Sequence, residues 1–191
     1  MTQIEKAGAG AGMLEVDGDS IGRLNAAELP ALLQFAEAIP PEIFKVPSSP
    51  GELARLFEDL GKKPWSMPMV CHRNGKAVGL CLMSVGQLKN LNAYLVAVFS
   101  DPVNADRLLA LYMRQAFWTY PLHRLYSQLP AVPSARSHVD LMLRVGFQRE
   151  GTLEGHIDLD RDRHVDADVL GILRGEFDQW CRINQPQLWL P

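Results

Sequence analysis

The chain has 191 residues, 47% of them hydrophobic and 21% charged, and a net charge of -3. That length suits one domain with a sizeable core, and the acidic balance gives no electrostatic case for nucleic acid. Its three cysteines, Cys71, Cys81 and Cys181, are an odd number without Cys-x-x-Cys spacing, which argues against structural disulfides and a zinc knuckle and suits a reducing cytoplasm.

No apolar run approaches the roughly 20 residues that cross a bilayer. Met1 to Gly12 lacks the basic stretch leading into an apolar one that marks a signal peptide, and its Ala-Gly alternation reads as a lead-in over 1–12 to a single domain over 13–191. A first strand is expected near Ser20 to Asn25 and a helix from Ala26 to Ile39, with Leu29, Leu32, Leu33 and Phe35-Ala36 on its apolar face and Pro40-Pro41 as its stop. A second helix over Gly51 to Leu60 has Ser48 or Ser49 to cap it and Pro50 in its first turn. Asn74-Gly75 lies between two β-rich runs, Trp65 to Arg73 and Ala77 to Val85, the strongest short-range hairpin signal.

Asn92 to Phe99 is apolar on both faces, as a buried strand should be. Ala105, Leu108, Leu109, Tyr112, Met113, Ala116 and Phe117 make a sustained stripe at helical spacing, so Ala105 to Trp118 reads as a helix. Asn104 is placed to cap it and Asp106 to meet its positive dipole end. A short strand over Leu122 to Leu129 and a helix over Ser134 to Val145, closed by Gly146, follow. Phe147 to Leu159 and His164 to Leu173 form a hairpin around Asp160-Arg161-Asp162-Arg163, and a last helical segment spans Glu176 to Ile183. The apolar terminus Leu188-Trp189-Leu190-Pro191 either folds back or docks on a second copy, so a homodimer is one expectation.

Gly146-Phe147-Gln148-Arg149-Glu150-Gly151, set between that helix and a hairpin ending in Asp168-Val169-Leu170-Gly171-Ile172-Leu173, resembles the C-terminal half of a GCN5-related N-acetyltransferase (GNAT). The likeness is to the branch that acetylates protein N-termini and small amines, and it covers roughly residues 20 to 178. It implies an α+β fold, a mixed, mostly antiparallel seven-stranded sheet flanked by helices. It also implies transfer of an acetyl or short acyl group from acyl-CoA to a primary amine, on a small molecule or peptide, by direct attack. In such a protein acetyl-CoA lies in a V-shaped notch between two parting strands. Here the main chain of Val96, Ala97 and Val98 would hold its pantetheine arm, and Asn104, Ala105, Asp106 and Arg107 would meet its pyrophosphate at a helix N-terminus.

The family's Arg/Gln-x-x-Gly-x-Gly turn falls on Ser100-Asp101-Pro102-Val103-Asn104-Ala105, where no glycine is present. Pro102 removes a backbone donor, and Asp101 and Asp106 place carboxylates near the phosphates. One like-charge pair at about 5 Å costs on the order of 3 kcal/mol at an effective dielectric near 20. Two readings stay open. The coenzyme is held by strand and helix dipole without glycine, or the loop has another job, leaving a binding or assembly protein or an acyltransferase with a different donor.

The resemblance puts Met142 where many relatives carry an acidic tyrosine, and His138 where the N-terminal branch often has a serine. His138, its neighbour Ser137, and Tyr94 on the notch strand are the catalytic candidates, with Asn92 beside them. His138 titrates in the useful range, yet it also shares an apolar stripe with Leu141, Met142 and Val145, as a packed core histidine would. Tyr126 and Gln128 face the acceptor or turn away, depending on strand parity. His164 with Asp162, Asp166 and Asp168 reads as a solvent-facing strand edge, so no metal is expected.

Overall fold

Turn chemistry dictates the order of the first half of the sheet. The computed structural model describes residues 14–23, 26–37, 39–43, 49–63, 65–87, 90–160 and 163–188. In it Asp17 and Gly18 take φ of 50° and 80°, and Asn74 and Gly75 take 51° and 74°. Left-handed backbone at both turn positions matches the twist of the flanking strands. The first turn joins β1 (Leu14–Val16) to β2 (Asp19–Gly22), and the second joins β3 (Ser66–Arg73) to β4 (Lys76–Gln87). The sheet therefore has eight strands rather than seven, because Asp17-Gly18 folds an extra edge strand onto the one expected near Ser20. Asn25, at the end of that expected strand, lies outside the described residues.

β5 (Asn92–Phe99), β6 (Arg124–Pro130), β7 (Gln148–Asp160) and β8 (Arg163–Leu173) complete the sheet, in the order β1-β2-β3-β4-β5-β6-β8-β7. Every neighbouring pair is antiparallel except β5 and β6. With its flanking helices this is the α+β arrangement that the family resemblance implies.

Among the described residues five α-helices cover the two faces: α1 (Leu29–Glu37), α2 (Pro50–Lys62), α3 (Asp106–Thr119), α4 (Arg136–Arg144) and α5 (Arg174–Asn184). Ser49 caps α2, its Oγ accepting the Glu52 N–H at 3.3 Å. The expected cap of α3 is corrected. Pro102–Asn104 is a 3-10 turn, Ala105 precedes the helix without a side-chain cap, and the Asn104 amide instead donates to the Asp101 carboxylate at 2.7 Å. A proline at the head of that turn fixes φ and withholds a donor, which favours a short tight turn over one more residue of helix.

Because side chains alternate along a strand, β5 serves two cores. Val98 packs with Leu32, Phe35, Leu53, Val70 and Leu80 beneath α1 and α2. Ala93, Leu95, Ala97 and Phe99 pack with residues of α3, α4 and α5. Tyr112 of α3 is wholly buried there, and its hydroxyl donates to the Met67 carbonyl at 2.6 Å. Leu188 turns back into this core, while 189–191 lie outside the described residues. Gly146 ends the α4 region with φ of 98°, as a left-handed helix stop requires.

The β1–β2 hairpin is locked to α3 by charge. Asp19, 1% exposed, accepts from Arg73 Nε at 2.8 Å and from Arg107 Nε at 2.8 Å. Asp19→Ala leaves two guanidinium groups without their shared acceptor, but both are about 30% exposed and rehydrate in part. The expected loss is about 2 kcal/mol, below the 3–5 kcal/mol of a fully buried pair. It is read as a lower urea midpoint at unchanged slope, with Asp19→Asn recovering part of it.

Candidate functional site

β5 and β6 are joined over three ladder positions, Asn92↔Arg124, Ala93↔Leu125 and Tyr94↔Tyr126. Beyond them β5 runs on to Phe99 with ladder partners on β4 alone, from Leu95↔Met83 to Phe99↔Gly79. β6 past Tyr126 is paired by β8 alone. The two strands therefore part, and a notch opens between them. Ser100 donates its N–H to the Val78 carbonyl at 3.0 Å on the β4 side, so the N–H groups of Phe99, Ala97 and Leu95 turn toward the notch.

One side chain already reaches into that notch. His138 of α4 is 3% exposed, and its Nε2 accepts the Phe99 N–H at 3.2 Å. Its Nδ1 is buried with no hydrogen-bond partner among the described residues. Burial pushes the imidazole pKa down to about 4, so the ring is neutral near pH 7. With the Nε2 lone pair engaged, the proton sits on Nδ1. Ser137 is half-buried beside it, but adjacent helix residues project about 100° apart, so His138 alone points at Phe99.

The opposite face of the notch is aromatic. The Tyr94 and Tyr126 rings lie 5.5 Å apart, tilted by 58°, which settles strand parity: both project to the α1–α2 side, away from His138. Burial raises the Tyr94 phenol pKa, the Tyr126 charge adds to the rise, and a hydrogen bond from the Gln128 backbone works against it. The Arg124 guanidinium stands 5.4 Å from the Tyr126 ring centre and pairs with the Glu150 carboxylate. Gly171 makes room for that pair, since a Cβ there would strike both Glu150 and Arg124.

The loop expected to hold phosphate is tied to the protein itself. Arg144 of α4 donates to the Pro102 carbonyl at 2.8 Å and the Val103 carbonyl at 3.2 Å, and it pairs with Asp106 at 2.8 Å. Arg73 donates to the Asn104 carbonyl at 2.6 Å. Ala105 N–H lies 3.4 Å from the Pro102 carbonyl. Arg107 pairs with Asp19 and, at 3.2 Å, with Asp17. Asp106 and Arg107 thus each face an internal partner. Ala97 is buried toward α3, whereas Val96 and Val98 face α2.

The candidates accordingly fall into three groups. Ala97 turns its main chain to the notch, where His138 also reaches, whereas Val96 and Val98 turn theirs to β4. Tyr94 borders it from the other face. Asn104, Ala105, Asp106 and Arg107 lie in the tied loop. Arg144, Arg124 and Glu150 were absent from the sequence candidates; the alternation Arg124-x-Tyr126-x-Gln128 was the available signal for the second. Asp168 is a correction, because it is 7% exposed, not a solvent-facing edge residue, and pairs with Arg149 at 3.1 Å. His164 and Asp166 are exposed, and Asp162 lies outside the described residues.

His138 gives the fold a measurable acid sensitivity. Its folded pKa of about 4 lies below the ordinary 6.5, so between those values the unfolded chain holds a proton that the folded chain does not. Stability then falls as pH drops from 6.5 toward 4, by roughly 3 kcal/mol at most. His138→Gln, which keeps an acceptor and does not titrate, should lose less stability over this window. The check is the difference between the two urea-midpoint profiles against pH; parallel profiles would overturn the assignment.

No protein-family model matches the chain, and no curated protein matches it. Solved structures do. RimJ of Mycobacterium smegmatis, in complex with CoA-disulfide, superposes with a TM-score of 0.73 at 16% identity, over 91% of this chain and 93% of its own. The acetyltransferase of Salmonella typhimurium that modifies the N-terminal serine of ribosomal protein L7/L12 gives 0.69 at 14%, over 83% and 96%. A spermidine N-acetyltransferase SpeG chimera from Vibrio cholerae and hSSAT gives 0.68 at 17%, over 84% and 98%. With its strand order, its parted central pair and a likeness that spans most of its length, the chain has the fold of the GCN5-related N-acetyltransferases.

Proposed function

We propose that this chain is a GNAT-type N-acyltransferase that moves an acetyl or short acyl group from acyl-CoA to a primary amine. The observation that carries the reading is the parting of β5 from β6 after Tyr94↔Tyr126, which leaves Leu95 to Phe99 with ladder partners on one side only. Amide-bearing pantetheine is the kind of ligand such a strand edge accepts, because main-chain hydrogen bonds give affinity there without any particular side chain. The RimJ structure contains a CoA-disulfide in the same fold.

The residues divide the work as follows. Leu95, Ala97 and Phe99 offer main-chain groups to the pantetheine arm, and His138 gives up the Phe99 N–H when the arm arrives. The acyl carbonyl then reaches the apex of the notch near Tyr94. The amine approaches from the face bearing Tyr94, Tyr126 and Glu150, where aromatic rings and a carboxylate suit a cation before it loses its proton. The neutral amine nitrogen attacks the thioester carbonyl, the C–S bond breaks with its electron pair leaving on sulfur, and the proton the nitrogen sheds passes, directly or through water, to the thiolate. A thiol pKa near 8.5 makes that departure feasible without a strong acid.

Proton removal restricts the acceptor. His138, with a pKa of about 4, is a poor base for a lysine-like ammonium at about 10.4, a gap of about 9 kcal/mol. An α-amino group, with a pKa near 8, is already neutral in part at physiological pH. A peptide or amino-acid α-amine is therefore the acceptor this site favours. With a peptide acceptor, kcat/KM should rise with pH along the acceptor's own titration near 8. A rise centred near 6.5 would instead implicate a protein histidine.

The tied loop favours a second reading, a binding or assembly protein without coenzyme chemistry. Arg144, Arg73 and two carboxylates occupy the ground that phosphates need. Thermal unfolding with 1 mM acetyl-CoA separates the two. A ligand at 100 times its Kd adds about 2.7 kcal/mol to the folded state, or about 5 °C or more at this size. No shift would reject the coenzyme and leave the second reading.

A further inference from the structure

Along β5, Tyr94, Val96 and Val98 share one face, the face onto which an acyl group would emerge after crossing the notch from the α4 side. Val96 and Val98 border a partly open apolar cavity of about 130 Å³ beneath α2, lined also by Leu56, Phe57 and Leu60 and by Leu80 and Leu82 of β4. Its lining is hydrocarbon. A lined apolar cavity of about 150 Å³ stays dry and takes a ligand the size of benzene, so this one matches a group of about six carbons. An acetyl group is far too small to fill it.

We infer that this cavity is an acyl pocket, taking the hydrocarbon chain of an acyl donor of about six carbons. The inference rests on the coenzyme reading above and narrows it, from acetyl or short acyl to a medium-length acyl substrate. Three observations on one strand support it. The main chain of β5 borders the notch, its Tyr94 marks the emergence side, and its next two residues on that face line the cavity. Val96, Leu56 and Phe57 are only half-buried, so the cavity is open at the surface on that face of the sheet. The acceptor, by contrast, is met by Tyr126, Arg124 and Glu150 on the β6 side of the notch.

The test compares acetyl-CoA with hexanoyl-CoA on the full chain by calorimetry and in turnover with a peptide amine. Each buried methylene is worth about fourfold in affinity. Four additional methylenes, incompletely buried, should make hexanoyl-CoA bind at least tenfold tighter. Leu56→Trp fills the cavity from α2 and should erase that preference while leaving acetyl-CoA binding as it was; Leu60→Trp serves the same purpose should the first variant fail to fold. Equal affinity for both thioesters, or a preference that survives the filled cavity, overturns the inference. A preference for hexylamine over methylamine as acceptor, without one between donors, overturns it too and gives the cavity to the acceptor. Should neither thioester bind, methyl resonances of Leu80, Val96 and Val98 are followed with hexan-1-ol. Shifts confined to them show that the coenzyme reading has failed and the apolar site stands, and no shift overturns both.

Discussion

Main-chain hydrogen bonding at the end of β5 is the constraint on which the site depends. A strand that loses its neighbour after Tyr94↔Tyr126 has donors and acceptors on its open side that burial makes expensive to leave unmet. At Phe99 the protein meets the need internally, with the imidazole of His138. That bond forms only with a neutral ring, and the low pKa that burial imposes keeps the ring neutral. The histidine is therefore a substitute for a ladder partner, held in the state in which it can accept.

The same logic explains why the strands stay apart. On one face the rings of Tyr94 and Tyr126 border the apex. On the other, His138 stands between α4 and the strand end. Closing the ladder past Tyr94 would require expelling His138 from the notch. At the outer rim, Arg144 holds α4 to the Pro102–Asn104 turn, and Trp180 of α5 donates to the Arg144 carbonyl at 2.7 Å. α3, α4 and α5 thus meet at one arginine, and the position of the Pro102–Asn104 turn follows from that contact as much as from its own residues.

Much of the fold was legible in the chain because its determinants are local. Asn74-Gly75 fixes a turn, a stripe from Leu108 to Phe117 fixes a helix, and Gly146 fixes a helix end. Asp17-Gly18 carries the same kind of local signal, for the turn that adds the edge strand β1. The site was less legible because its determinants are not local. Arg107 pairs with Asp19 across 88 positions, Arg144 with Asp106 across 38, and His138 with Phe99 across 39. A stripe that contains His138 is compatible with a core histidine and with one that reaches a strand edge; here it is both. Asn104 looked like a cap because its side chain can be one, and Pro102, two residues earlier, decided otherwise.

The internal contacts at the two ends of the notch weigh differently against a coenzyme. Exchanging the His138–Phe99 bond for one from Phe99 to a pantetheine carbonyl keeps the Phe99 N–H satisfied but takes the donor from the buried Nε2 of His138, a cost of about 1–3 kcal/mol unless the ring turns to a new partner. The buried Nδ1 loses nothing by it, because it has no partner to surrender among the described residues. At the loop, Arg144 would give up two carbonyls and a carboxylate. Arg144 and Asp106 are each more than a third exposed, so that ion pair is worth about 0–1 kcal/mol. Phosphates arriving there would still meet Asp101 and Asp106 without a glycine turn to receive them. If the chain binds a thioester as proposed, that balance places the binding energy at the acyl and pantetheine end, on β5, with the nucleotide end a weak contributor. On the acyltransferase reading a larger acyl group would add affinity, because its hydrocarbon would be buried beside Val96 and Val98.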